Sequence, residues 1–279
     1  MTLSTDPIGK IGILRGAWQP EDLAEFVRSG ADRLIVHAAP DLEFLRDLPA
    51  LRGLEIHHLP LSEVRPIESQ GKLRDLSLNA YFKTPVDFSL FTELKSLHLD
   101  WGPGAESIGA LRQLQDLSIN RYPGSDLALF HDLARLRILR LASAPRLTSL
   151  LGIDALKSLE ELRLLDLRVL HDLDPIAGVS ETLRSLVFNT CRKIGRLDAL
   201  RALRNLTKLH VPNCGVIESL APVLGLPLKT LLFYESTNIR DGDLGVLLKL
   251  PELTDTSFAN RRHYSNTRED IQARLSAKG

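Results

Sequence analysis

Apolar residues recur along this 279-residue chain in the spacing L-x-x-L-x-L, once every 20 to 25 residues. Five copies are regular: Leu73/Leu76/Leu78, Leu94/Leu97/Leu99, Leu114/Leu117/Ile119, Leu136/Leu139/Leu141 and Leu159/Leu162/Leu164. The series continues through Leu183/Leu186/Phe188, Leu206/Leu209/Val211, Leu228/Leu231/Phe233 and Leu253/Thr256/Phe258. Towards the N-terminus it passes through Leu51/Leu54/Ile56 and Ala31/Leu34/Val36 to Ile8/Ile11/Ile13. Twelve copies give 36 positions, and only Thr256 among them is not apolar. A period of this length is the signature of an array in which each unit buries its apolar face against its neighbours.

Within a copy, positions 4 and 6 point the same way because strand side chains alternate with period two, and positions 3, 5 and 7 point to the other face. The pattern predicts a short strand per unit, stacked with its copies into a parallel sheet. The return segments, about 15 residues each, carry helix-start signals: Asp41-Leu42, Ser125-Asp126, Asp174-Pro175 and Ser219-Leu220. One or two turns of α or 3₁₀ helix per unit are expected there. A strand is narrower than a helix, so the sheet side is predicted to be concave. Twelve rungs at roughly 4.8 Å give a sheet about 55 Å long. Solenoid ends need covers. Gln19–Gly30 reads as a helix with Pro20 in its first turn, acids at the positive dipole end and Gly30 to stop it. Thr267–Leu275 reads as a second, with Thr267 as N-cap and Ile271/Leu275 as an apolar pair.

The segments L183-R-S-L-V-F-N-T-C191 and L206-T-K-L-H-V-P-N-C214 resemble the leucine-rich repeat family, whose pattern is L-x-x-L-x-L-x-x-N/C-x-L. With a period near 22 residues the resemblance is to the short bacterial class. It implies an α/β fold, a curved leucine-rich repeat solenoid or horseshoe, with about 12 short strands in a concave parallel sheet and short helices or 3₁₀ turns on the convex side. It also implies a single domain over 1–279: an N-terminal strand and capping helix in 1–30, repeats in 31–252, and a last strand with its capping helix in 253–279. Position 9, where the family prefers Asn, holds Tyr81, Gly102, Tyr122, Ala144, Leu167 or Ser236 in other units, so an asparagine ladder is expected to be incomplete. Cys191 and Cys214 occupy that buried position and read as scaffold.

Composition narrows the function. With 35 basic and 35 acidic residues the net charge is zero, so no bulk attraction to nucleic acid or anionic lipid is expected. Two cysteines make no disulfide framework. The N-terminal residues have no signal-peptide pattern, and no apolar run approaches membrane-spanning length, so a cytoplasmic location is expected. Phosphate-binding loops, nucleophile elbows and H-E-x-x-H are missing from the sequence.

The remaining candidates lie on the predicted concave face and its ridge: His37, Glu55, His57, Asp75, Asn79, Tyr81, His98, Asp100, Trp101, Asp116, Asn120, Tyr122, Arg140, Arg163, Asn189, His210 and Tyr234. Mixed charge suits a complementary protein surface, and Tyr81, Phe82, Trp101 and Tyr122 are placed to form an aromatic ridge of the kind that anchors interfaces. Apolar Ile35, Ile138, Leu165, Val187 and Leu232 on the same face suggest a covering partner. The expected function is therefore a non-enzymatic scaffold that binds another protein, with no cofactor, and a monomer is favoured over an oligomer. The alternative is a metal-dependent or acid–base enzyme using His37, His57 and His98.

Overall fold

The computed structural model describes residues 1–61 and 63–277, and for residues 58–60 the backbone alone. The chain falls into two compact units, Met1–Asn120 and Arg121–Gly279.

The first unit opens with an antiparallel hairpin, β1 (Thr2–Asp6) and β2 (Gly9–Arg15). Helix α1 (Pro20–Ser29) follows, and then five strands in chain order: β3 (Arg33–Ala38), β4 (Gly53–Leu61), β5 (Asp75–Phe82), β6 (Ser96–Asp100) and β7 (Asp116–Asn120). From β2 onward every pair is parallel. The middle and last members of each triplet stack directly: Leu54 on Leu76, Leu76 on Leu97, Leu97 on Leu117. All are buried, and a fully buried leucine contributes roughly 1.5–3 kcal/mol.

The first copy of the repeat sits differently from the expected Ile8/Ile11/Ile13. Register places Gly12 beside Leu34 and Leu14 beside Val36, so the core columns run through Gly12 and Leu14. Ile8 is 79% exposed. The reason is α1: Phe26 fills the space a side chain at position 12 would need, and a Cβ on Gly12 would come within 2.9 Å of its ring. The expected cap helix therefore does form, from Pro20 to Ser29 with Gly30 left-handed behind it, and it supplies the core residue that the strand omits.

The second unit holds β8 (Ile138–Ala142), β9 (Glu161–Leu165), β10 (Ser185–Asn189) and β11 (Lys208–His210). After these come β13 (Thr230–Phe233) and β15 (Asp255–Phe258). These six are parallel neighbours in that order. A small separate pair, β12 (Val216–Ile217) with β14 (Asn238–Ile239), lies between return segments. Those segments are short 3₁₀ turns, such as Ala128–Phe130, Asp174–Val179 and Ala221–Val223, at the places the helix-start signals marked. The unit ends with α2 (Gly245–Lys249) and α3 (Arg268–Ser276). Thr267 and Asp270 form a capping box on α3, and Ile271 and Leu275 are buried. Thr256, the one polar triplet position, is buried and donates its hydroxyl to the Leu231 carbonyl at 2.8 Å.

Position 9 of the second unit is a buried column without asparagine. Ala144, Leu167, Cys191 and Cys214 are fully buried, and the next member is Thr237 rather than the expected Ser236. The polar members bond back to the preceding rung. Cys191 Sγ donates to the Leu164 carbonyl at 3.4 Å, Cys214 Sγ to that of Phe188 at 3.4 Å, and Thr237 Oγ1 to that of Val211 at 2.5 Å. Thr237 Oγ1 also accepts from the Cys214 amide at 2.9 Å, which Ser236, one residue out of phase, does not do. The neighbouring Cys214 sulfur, together with burial, holds the Cys191 thiol far above its ordinary range.

Just before this column the backbone turns out of each strand through a left-handed residue. Arg121, Ser143, Asp166, Thr190, Asn213 and Glu235 all have φ between 52° and 64°. The amides of the first four donate to the next rung, to Ala142, Leu165, Asn189 and Pro212 at 2.8, 2.9, 2.8 and 3.2 Å. A hydrogen bond per turn offsets part of a conformation that costs an L-residue roughly 1–2 kcal/mol.

Candidate functional site

The strands leave one face open to solvent, and their alternation decides what stands on it. In the first unit, register aligns Arg33, Gly53, Asp75, Ser96 and Asp116 in one row, and Ile35, Glu55, Ser77, His98 and Ser118 in a second. The third row pairs His57 with Asn79 and Asp100 with Asn120, and stacks the His37 and His57 rings with centroids 5.3 Å apart.

These rows are knit by polar contacts. Asn120 Nδ2 donates to Asp100 Oδ1 at 2.8 Å, and Asn79 Nδ2 to the Ser77 hydroxyl at 3.2 Å. His57 Nε2 lies 3.3 Å from Glu55 Oε2, and His98 Nε2 lies 3.7 Å from Asp116 Oδ1. Arg33 reaches Asp6 Oδ2 at 2.6 Å and Glu55 Oε1 at 4.0 Å. It can do so because Gly53 carries no side chain: a Cβ there would meet Arg33 Cγ at 3.0 Å. The bond from Arg33 holds the Asp6 carboxyl below its usual range. His37 is lowered by desolvation, then by Arg15 and by the stacked His57, with Glu55 opposing.

Between β3 and β6 these side chains line a groove of about 360 Å³, bounded by Ile8, Arg33, Gly53, Glu55, Asp75, Ser77, Ser96 and His98. Asp75 stands at its mouth. The surrounding protein desolvates its carboxyl and raises it above the ordinary range, although the side chain itself is open to water. Arg33, Lys95 and Arg74 oppose that rise, and Glu55 adds to it.

In the second unit the first row is Ile138, Glu161, Ser185, Lys208, Thr230 and Asp255, and the second is Arg140, Arg163, Val187, His210, Leu232 and Ser257. Glu161 sits between two guanidinium groups, 3.5 Å from Arg140 and 2.7 Å from Arg163. His210 is lowered by desolvation, then by Lys208 and Arg163, with Asp255 opposing. Within this unit Ala142, Leu165 and Asn189 form a third row, and Tyr234 is half-buried beyond β13.

The structure thus places His37, Glu55, His57, Asp75, Asn79, His98, Asp100, Asp116 and Asn120 on the first unit's open face, and Arg140, Arg163, Asn189 and His210 on the second's. The aromatic ridge is smaller than expected. Tyr81 is 66% exposed and Trp101 partly so, but Phe82 and Tyr122 are core. Tyr122 is 3% exposed, packs on Phe130 and donates its hydroxyl to the Asp126 carbonyl at 2.9 Å. The left-handed turn at Arg121 rotates it inward, and burial pushes its phenol up to about 12. Arg33 and Ile8, absent from the candidate set, belong to the groove. Arg33 was legible as an outward position 3, whereas Ile8 was hidden by the misplaced first copy.

The histidine alternative does not converge. His37 and His57 stack, but His98 lies on β6, two strands from His57 and in a different row. Among the described residues no group of three or more His, Cys, Asp or Glu is placed to hold a metal ion.

No protein-family model matches the chain. A search of solved structures finds an internalin, InlF, of Listeria monocytogenes at TM-score 0.64 and 23% identity, covering 87% of this chain and 71% of that one. The fold is that of leucine-rich-repeat proteins. A leucine-rich-repeat protein of Leptospira interrogans is similar at TM-score 0.47 and 19% identity, with 82% and 72% of the two chains covered. Among curated proteins, a putative adenylate cyclase regulatory protein of Trypanosoma equiperdum is 34% identical over 114 residues. That match takes in 40% of this chain and only 18% of the relative's length. No helix among the described residues is long and apolar enough to cross a membrane.

Proposed function

We propose that this leucine-rich-repeat chain is a non-enzymatic scaffold that binds a partner protein through the open face of its sheet. The observation that carries this reading is the division of labour along each strand. Inward positions are consumed by the core, while outward positions present a fixed lattice of charged, amide and imidazole groups with a largely exposed tyrosine, Tyr81, at its margin. A lattice held by parallel pairing loses little freedom when a partner docks, which favours affinity. Exposed aromatics are preferred anchors. The partner is a protein rather than a small metabolite, because the groups are spread over several strands instead of converging in an enclosed pocket.

The test is cross-linking in the cell of origin followed by mass spectrometry, with Tyr81→Ala and Arg163→Glu on the open face and Arg201→Glu on a return segment. A protein captured by the wild type and by Arg201→Glu, and lost in either face variant, supports the reading. Capture indifferent to both face variants refutes it.

A further inference from the structure

We infer that the open face of the first unit receives a basic segment of the partner, and that the groove beneath the β1–β2 hairpin seats one of its arginine side chains. The inference rests on the scaffold reading and names the chemistry of its ligand.

The electrostatics of this groove are one-sided. Among its lining residues Glu55 and Asp75 stand against a single guanidinium, Arg33, which Asp6 already engages at 2.6 Å. Arg74 and Lys95 flank it at the strand starts, and Arg74 is itself 3.7 Å from Glu93. Low-dielectric walls around like charges focus the field into the groove.

The groove has the form that a cation on an apolar stem requires. At about 360 Å³ it lies within the range of small binding pockets, roughly 300–1,000 Å³. Its rim carries Ile8, 79% exposed and positioned by the bonds of its own amide and that of Gly9 to Asp6 Oδ1, at 2.8 and 3.0 Å. Its wall offers acceptors that no protein donor uses. Among the described residues the Asp75 carboxylate makes no hydrogen bond or ion pair, and the Ser96 hydroxyl makes none. His98 Nε2 is shielded from solvent without a hydrogen-bond partner. Glu55 and Asp75 stand one strand apart in adjacent rows, and among the described residues they belong to no group of three or more His, Cys, Asp or Glu placed to hold a metal ion. A guanidinium, planar and with five donors, can bridge such separated acceptors while its methylenes cover Ile8. A lysine ammonium is a compact point charge and bridges them less well.

The experiment is an amide-resolved NMR titration of the full chain at about 50 mM salt. The probes are a capped heptapeptide with one central arginine and its lysine and norleucine counterparts. The expected result is shift changes at Arg33, Gly53, Asp75 and Ser96 with the arginine peptide, at least threefold weaker binding of the lysine peptide and none of the norleucine one. Asp75→Asn and Glu55→Gln, both polar exchanges at exposed or half-exposed sites, should each weaken the arginine peptide at least fivefold with an unchanged melting temperature. Raising salt to about 300 mM should weaken it further, because exposed charges are screened. Equal binding of the norleucine peptide, or shifts mapping outside the groove, overturns the inference. So does a natural partner lost in Tyr81→Ala yet fully retained by Asp75→Asn, a result that leaves the scaffold reading standing.

Discussion

Replacing Gly152 with alanine tests whether successive return segments are packed backbone against backbone. Gly152 has φ +92°, and a Cβ there would lie 2.8 Å from the Ala128 nitrogen, 2.9 Å from the Leu127 carbonyl carbon and 3.0 Å from Ala128 Cα. These are backbone atoms of the preceding segment, so no side chain can swing aside. Relief needs the two segments to part by about half an ångström, which stretches the Leu127 amide bond to the Leu151 carbonyl, now 2.8 Å. Gly215 is the internal control: its φ is +75° and nothing lies within 4 Å of its Cβ position. Gly215→Ala should therefore cost only the left-handed backbone penalty, about 1.5 kcal/mol. Gly152→Ala adds overpacking of roughly 1–3 kcal/mol and about 1 kcal/mol for the weakened hydrogen bond, for a total of about 3.5–5.5 kcal/mol. Urea titration followed by circular dichroism measures both, provided the slope of the transition is unchanged. A difference between the two variants below about 1 kcal/mol would refute the close-packing argument.

Two further outcomes follow from the surroundings of particular side chains. Cys191 and Cys214 are fully buried and bonded to backbone carbonyls, so neither should react with a thiol reagent under native conditions, and both should react in urea; rapid native labelling of either would contradict that packing. Glu63 is held at about 2, first by the side-chain hydrogen bond from Arg65 and then by the Arg65 amide. A carboxyl lowered on folding contributes stability above its unfolded value near 4.5, and that contribution is lost as pH falls towards 2. The fall in melting temperature between pH 5 and pH 3 should therefore be smaller in Glu63→Gln than in the wild type, and an identical fall would remove the linkage.

The leucine triplets carried the fold because one physical demand, burial against a neighbour, acts on every unit in the same way. The sequence misled where a different element met that demand. The first copy reads as Ile8/Ile11/Ile13, one residue out of phase, because the core space over Gly12 is filled by Phe26, from a helix 14 residues further on. Ser236 and Thr237 show the same limit at finer scale: a slip of one residue in the last turns is invisible until a hydrogen bond to Cys214 picks the partner. On the open face, outward positions could be read directly from alternation, and nine first-unit candidates stand there. Tyr122 could not, since its direction depends on the left-handed turn at Arg121, which residue type does not announce. The groove depends on the hairpin tip meeting Arg33 over Gly53, a long-range encounter with no periodic signal.

The left-handed residues at the strand exits have a consequence for how this chain can change. Arg121, Ser143, Asp166, Thr190, Asn213 and Glu235 recur once per rung, and four of the six, all but Asp166 and Asn213, are types that tolerate this backbone poorly compared with glycine or asparagine. Each is a separate, small stability reserve, reachable by a single exchange that alters neither the buried columns nor the middle of the open face. A lineage, or an engineer, could therefore draw on this edge to offset the cost of new contact residues on the face, so that the face is free to vary while the stack persists.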